Sequence, residues 1–210
     1  IFTDEKVYDP SVSLRQKDRD TDEIYISYST PKTQNRTYLY NIKTKEKKLV
    51  KEQIIPSGHE PNDYIVERLE CPSHDGRVVP ITITRHKNTP IDGSAELLLY
   101  GYGSYGHSMS PTFSSTRLSL IKRNIIWATA HIRGGMERGM KWWKEGKLLN
   151  KKNTFKDYIA CAKFLIEKKY TSKKKIIGMG GSAGGLLMGV VVNEEPDLFL
   201  GVIMAVPFVD

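Results

Sequence analysis

The sequence predicts an α/β fold that follows a short all-β segment, and three observations support this class. From about residue 96 onward, apolar strands alternate with helical segments, which is the pattern of a parallel sheet with crossover helices. An antiparallel hairpin precedes that alternation, and the first 60 residues contain only short strands and polar turns. A chain of 210 residues with 39% hydrophobic residues also has enough apolar side chains for a packed core.

The first segment is predicted to be an antiparallel sheet. Residues 24–29 alternate with β-branched and aromatic side chains, as a half-buried strand does, and two further short strands are expected at 37–42 and 47–51. One such sheet cannot bury both of its faces alone. It resembles one blade of a β-propeller, although the sequence holds no second copy of the pattern. We therefore expect residues 1–62 to form a propeller-like unit and residues 63–210 to form the α/β unit.

The second unit begins with alternating runs at 64–70 and 78–86 around an Asp-Gly turn at Asp75, which predicts a hairpin. An antiparallel hairpin that leads into a parallel sheet is how an α/β-hydrolase fold begins. We expect the N-terminal part of that catalytic domain, truncated after the strand that follows the helix at 182–193. Beyond the hairpin, the predicted strands are 96–100, 124–130, 175–179 and 201–206, and the predicted helices are 112–122, 153–170 and 182–193.

A glycine-rich motif between the strand at 175–179 and the helix after it carries the chemistry. Gly180-Gly-Ser182-Ala-Gly184 fits the pattern G-x-S-x-G. A serine at this spacing occupies a tight, strained turn that lifts its hydroxyl clear of the sheet, and the glycines let strand and helix pass closely. The N–H groups at the helix start then face the position of a developing oxyanion. The motif predicts a nucleophile elbow with Ser182 as the nucleophile.

The same residues fit a second pattern. Gly178-x-Gly180-x-x-Ala183 matches the looser dinucleotide-binding fingerprint G-x-G-x-x-A. That interpretation requires an acidic residue near the end of the next strand, for which Asp210 is a distant candidate. The motif lies on a late strand, however, and the fingerprint leaves Ser182 unexplained. We favour the elbow, and detectable NAD binding would support the alternative.

A nucleophilic serine needs a base, and on this fold the chain order is Ser, then Asp or Glu, then His. The sequence has no histidine after Ser182, so it holds the nucleophile without its general base. We expect the five histidines to be surface or loop residues. They are His59, His74, His86, His107 and His131. The chain also starts with Ile1 and ends as a strand emerges, so we expect a fragment or a truncated gene product.

A loop rich in glycine and tyrosine, residues 100–106, follows the first parallel strand. Lipases place a glycine-rich oxyanion loop at this point, and a phenolic O–H can donate a hydrogen bond to an oxyanion. The tyrosines are equally consistent with side chains that merely pack against their neighbours.

Charge and cysteine usage narrow the expected partners and location. The net charge is +8, and residues 141–175 hold twelve lysines against three acids. Interleaved arginines are missing there, so we expect a solvated helix face and no nucleic-acid site. Cys71 and Cys161 match no metal spacing, which predicts buried free thiols in a reducing compartment. The apolar runs are too short for a membrane span, and no secretory signal is visible.

Six motifs in order give a more specific indication. Together they resemble the prolyl oligopeptidase family of serine peptidases, and most closely its oligopeptidase B (protease II) members. The resemblance is strong over residues 64–210, and the first 60 residues resemble the last part of that family's propeller. The motifs lie at residues 98–106, 131–135, 142–149, 151–155, 180–185 and 206–210.

The resemblance implies a cytoplasmic serine oligopeptidase that uses no cofactor and no metal and cleaves short peptides after Arg or Lys. By position, Ser182 would be the nucleophile. The backbone N–H of Ala183 and the hydroxyl of Tyr102 would form the oxyanion hole. Tyr105 would border the pocket for the residue that precedes the cut.

In the family, the catalytic Asp and His and the acidic residues that select Arg or Lys lie beyond position 210. We expect an incomplete piece of a peptidase whose partners are short peptides, with neither nucleic acid nor membrane. A complementary chain that carries the missing Asp and His is a further expected partner. The alternative is a catalytically inactive fragment, or the remnant of a split gene, with no activity of its own.

Overall fold

The computed structural model describes residues 6–14 and 21–208, which form two β-sheets with helices packed on the larger one. The ten strands are β1 (Asp9–Leu14), β2 (Glu23–Ser29), β3 (Arg36–Asn41), β4 (Lys47–Glu52), β5 (Tyr64–Pro72), β6 (Val78–His86), β7 (Leu97–Tyr100), β8 (Ile126–Ala130), β9 (Ile176–Gly181) and β10 (Phe199–Ala205). The α-helices are α1 (Ser115–Ile121), α2 (Met140–Lys144), α3 (Lys152–Glu167) and α4 (Ala183–Glu194).

The smaller sheet is antiparallel with the order β1-β2-β3-β4. The three strands predicted here are confirmed as β2, β3 and β4. β1 was not predicted: Pro10 and its three exposed neighbours form a strand by pairing with β2. Ile26, Tyr28 and Tyr40 are buried on this sheet, while every residue of β4 is exposed. Among the side chains of this sheet that the structure describes, those that are buried therefore come from the central strands β2 and β3.

The larger sheet has the order β10-β9-β7-β8-β6-β5. The predicted hairpin is confirmed, since β5 and β6 pair antiparallel along their full length. β6 is also antiparallel to β8, whereas β8, β7, β9 and β10 are mutually parallel. Leu97, Leu99 and Ile176 are fully buried at the centre, as expected for strands covered on both faces. The ends of the central strands β7 and β9 position the residues of interest.

The predicted helices are confirmed as α1, α3 and α4, with α1 shorter than expected and α2 not predicted. α3 turns Phe155, Ile159 and Ala162 into the core, as its apolar spacing indicates. Cys71 and Cys161 are both buried free thiols, as predicted. Over the described ranges, every helix is too short or too polar to cross a bilayer.

The lysine-rich stretch departs from its predicted solvated character at Asp157, which is fully buried. Its carboxylate accepts hydrogen bonds from Arg133 Nη2 at 2.6 Å and Arg133 Nε at 2.8 Å. It also accepts one from Ser73 Oγ at 2.5 Å, and Asp75 binds the outer nitrogens of Arg133. A charge count along the chain cannot distinguish such an internal pair from surface charges. The pair joins the hairpin turn to α3 and to the segment after β8.

Candidate active site

Ser182 forms the turn between β9 and α4. Its backbone angles are φ 53° and ψ −116°, a strained conformation for a residue with a side chain. Two backbone hydrogen bonds of 2.8 Å hold it: Ser182 N–H donates to Ala205 O, and Gly185 N–H donates to Ser182 O. The serine is exposed, although the three residues that follow it are buried. The hydroxyl is thus accessible on a rigid turn, as the motif predicts.

The two outer glycines of the motif are required by close backbone contacts. A Cβ atom on Gly180 would overlap the carbonyl of Gly184, and one on Gly184 would lie 2.8 Å from the carbonyl oxygen of Gly101. Strand β9, the start of α4 and the loop after β7 therefore meet at this point with no room for side chains. This is the physical reason why the sequence needs glycine at both positions.

The dinucleotide-binding interpretation does not fit this geometry. Gly178 lies inside β9, where it is paired with Leu99 on one side and Val202 on the other. The fingerprint requires its first glycine in the turn after the strand. Asp210, its candidate ribose ligand, lies outside the described residues. The turn at Ser182 therefore supports the elbow.

Tyr102 lies in the loop after β7 and is half-buried. A Cβ atom on Gly184 would lie 3.5 Å from Tyr102 Cδ2, so the phenol ring runs beside the first turn of α4. Its other neighbour is His107, whose ring meets it edge-on with 5.6 Å between centroids. The structure thus brings Tyr102 to the helix start that carries the backbone N–H of Ala183.

The other two tyrosines of the loop behave differently. Tyr100 stacks on Trp127 with 6.2 Å between ring centroids, so it packs. Tyr105 has a positive φ of 56° and is 73% exposed, although burial would be expected of a tyrosine that only packs. Tyr100 is therefore a packing residue, whereas the exposed Tyr105 is not.

A cavity of about 340 Å³ lies beside this loop, and Tyr105 and Ala183 are among its lining residues. Ser182 and Tyr102 are not among them. The remaining lining is apolar apart from Ser104, Lys147 and Lys151. A larger cavity of about 510 Å³ is lined by none of the four predicted site residues. Of these two cavities, the smaller one is therefore lined by two of the predicted site residues.

Lys151 is a residue of this region that the sequence analysis did not single out. It is half-buried just before α3, and its ammonium donates hydrogen bonds to Gly103 O at 2.5 Å and Ser104 Oγ at 2.8 Å. Burial lowers the pKa of Lys151 to about 8, because desolvation disfavours the charged form. Residues 141–175 contain twelve lysines, and the sequence does not indicate which of them has a partly buried side chain.

The histidines follow the prediction of surface or loop positions. His131 lies in the segment after β8 but is 3% exposed, so this loop residue is buried. Its Nε2 lies 2.8 Å from Thr82 Oγ1, and its Nδ1 lies 3.5 Å from Glu137 Oε1. Burial lowers the pKa of His131 despite the opposing effect of Glu137, which favours a neutral ring. The other four histidines are exposed or half-buried.

The chain as a whole is similar to known proteins of one family. A profile of the prolyl oligopeptidase family matches residues 111–210. Dipeptidyl aminopeptidase BI of Pseudoxanthomonas mexicana is 43% identical, with 100% of this chain and 29% of the relative covered. Protease 2 of Moraxella lacunata is 41% identical, with coverages of 100% and 30%. Oligopeptidase B from Trypanosoma brucei, in its closed form with covalently bound antipain, is 38% identical with a TM-score of 0.91 and coverages of 99% and 29%.

The chain spans 29% of the length of the first of these relatives and 30% of the second. Its hairpin, parallel sheet and preceding antiparallel sheet superpose on the T. brucei structure over 99% of the chain. The predicted α/β-hydrolase fold with a propeller-like segment before it is thereby confirmed. The relatives named above are peptidases, which is the group that the motifs indicated. The chain belongs to the prolyl oligopeptidase family of serine peptidases.

Proposed function

We propose that this chain carries the nucleophile and the oxyanion hole of a serine oligopeptidase. The observation that carries the proposal is the exposed Ser182 on a strained, glycine-lined turn at the start of α4. Its hydroxyl attacks the peptide carbonyl, and the N–H of Ala183 and the hydroxyl of Tyr102 donate hydrogen bonds to the oxyanion. Donors fixed before the reaction starts stabilise that charge without reorganisation.

The proton of the Ser182 hydroxyl must pass to a base during attack and then to the leaving amine. No histidine follows Ser182 in the sequence, and His131 is held in the core by Thr82. We therefore assign the base and its orienting carboxylate to residues outside this sequence, on a longer chain or on a complementary one. Without them, we expect the chain alone to be inactive.

The domain division at residues 62 and 63 is part of the same proposal. Residues 1–62 would form a blade of a propeller beside the catalytic unit, residues 63–210, and short peptides would be the substrates that reach Ser182. The buried free thiols of Cys71 and Cys161 support a reducing, cytoplasmic location.

Cleavage after Arg or Lys is the proposed specificity. The residues that line the cavity beside Tyr105 bear on this proposal. The charged residues among its lining are Lys147 and Lys151, which repel a basic side chain. Recognition of Arg or Lys therefore requires carboxylates from outside the described residues. The apolar lining favours a second candidate, cleavage after an apolar residue such as proline. A solved post-proline cleaving enzyme from Rickettsia typhi has a TM-score of 0.86 and 28% identity to this chain.

The experiment compares two chromogenic peptides, one ending in Arg and one in Pro, on the longest natural chain that contains this sequence. Ser182→Ala should reduce turnover by about 10⁴-fold or more, because the remaining groups cannot form an acyl-enzyme. Tyr102→Phe should reduce kcat by about 10²-fold. Ser119→Ala, an exposed serine on α1, is the matched control and should change nothing. Unchanged turnover in Ser182→Ala would refute the proposal, and the preferred peptide decides the specificity.

A further inference from the structure

Lys151 connects the start of α3 to the loop that contains Tyr102. Its ammonium is hydrogen-bonded to the carbonyl oxygen of Gly103 and to the hydroxyl of Ser104, at 2.5 and 2.8 Å. These two residues directly follow Tyr102 in the chain. The ammonium therefore contacts the loop between Tyr102 and Tyr105.

The loop between Gly101 and Gly106 is held at few other points. The N–H of Gly101 donates to Met179 O at 3.0 Å, and the N–H of Gly106 donates to Gly134 O at 2.9 Å. Between them, Gly103 has a φ of 65°, and a Cβ atom there would lie 2.8 Å from Ile132 Cγ1. Within the span, the N–H of His107 donates to Ser104 O at 3.0 Å, and Lys151 is the side chain that donates to Gly103 O and Ser104 Oγ.

The charge of Lys151 has no carboxylate partner among the residues that the structure describes. The titratable groups that share its cavity are Lys147 and Tyr105. A partly desolvated ammonium is costly unless its protons are hydrogen-bonded. The two hydrogen bonds to the loop therefore stabilise this side chain in its buried position, together with the Phe155 ring, whose centroid lies 5.9 Å from the ammonium.

We propose that Lys151 is a positioning residue of the oxyanion hole, which fixes the loop at Gly103 and Ser104 so that the Tyr102 hydroxyl stays directed at the oxyanion. This inference rests on the proposed function of Ser182 and Tyr102. Lys151 itself does not touch the reacting atoms. Its effect comes from preorganisation, because a donor displaced by about 1 Å from its productive position loses much of its effect on the rate.

The test uses Lys151→Met and Lys151→Arg in the longest natural chain that contains this sequence. Lys151→Met should lower kcat by about tenfold, with KM changed by less than about twofold. Lys151→Arg should restore kcat to within about threefold, because arginine keeps the charge and the donors. Lys152→Met, an exposed neighbour, is the matched control. The kcat of the parent should also fall as pH rises through about 8, and Lys151→Arg should lack this fall.

A readout without activity uses amide hydrogen exchange. In Lys151→Met, the amides of Gly106 and His107 should exchange at least about tenfold faster, while that of Leu97 in β7 stays unchanged. A kcat of Lys151→Met within about twofold of the parent would overturn the inference, as would a loss expressed only in KM. If Lys151→Met fails to fold, the inference is overturned when the fall in kcat near pH 8 persists in Lys151→Arg. Ser182→Ala, measured alongside, separates this failure from a failure of the proposed function.

Discussion

Removing the buried carboxylate of Asp157 should strongly destabilise the chain. Asp157 is fully buried and Arg133 is 1% exposed, and two side-chain hydrogen bonds of 2.6 and 2.8 Å join them. The Arg133 backbone N–H adds a third at 3.1 Å. Asp157→Ala leaves the guanidinium without its interior partner, and breaking a buried pair in this way costs about 3–5 kcal/mol. That is a large fraction of the 5–15 kcal/mol or so that typically stabilises a domain.

The assay is urea unfolding at pH 7, followed by circular dichroism, with Asp75→Ala as the matched control. Asp75 binds the outer nitrogens of the same guanidinium, but its side chain is 36% exposed. Water replaces a partner at that position, so we expect a loss of about 1 kcal/mol or less. Equal losses in the two variants, or a loss below about 1 kcal/mol in Asp157→Ala, would refute the reasoning from burial.

Two further predictions concern the elbow and acid stability. Gly180→Ala should cost about 2–3 kcal/mol in urea unfolding, because its Cβ overlaps the backbone of Gly184. Gly189→Ala on α4, where a Cβ meets nothing within 4 Å, should instead be neutral or stabilising. Burial raises the pKa of Asp75, but the hydrogen bonds from Arg133 and from the backbone N–H of Arg77, together with the nearby positive charges, lower the pKa overall. Its contribution is therefore present above about pH 4 and is lost as pH falls further, so Asp75→Asn should flatten the acid limb of a stability–pH curve.

Much of the larger sheet could be predicted because its elements have strong local signals. The apolar strands at the centre, the Asp75-Gly turn and the apolar spacing on α3 each indicate one structure from a short window of sequence. β1 has a weaker signal, because it contains Pro10 and the residues that follow are exposed, and it forms by pairing with β2. The short helix α2 is five residues long, too brief for a periodic pattern.

In the candidate site, too, local features could be predicted from the sequence and long-range contacts could not. The glycines around Ser182 could be identified because a tight turn between strand and helix restricts residue type at fixed spacing. The role of Lys151 could not be predicted, since Gly103 and Ser104 lie 48 and 47 positions before it in the chain. Burial of Asp157 was missed for the same reason: its partner Arg133 lies 24 positions away. Sequence patterns report local geometry, whereas these contacts depend on the tertiary fold.

The most direct test of the account is the site of covalent modification in the longest natural chain that contains this sequence. A fluorophosphonate probe reacts with an activated serine hydroxyl, and peptide mapping by mass spectrometry locates the adduct. The account predicts a single adduct on Ser182 that competing peptide substrate suppresses and that Ser182→Ala abolishes. An adduct on another serine, or turnover that survives in Ser182→Ala, would contradict it.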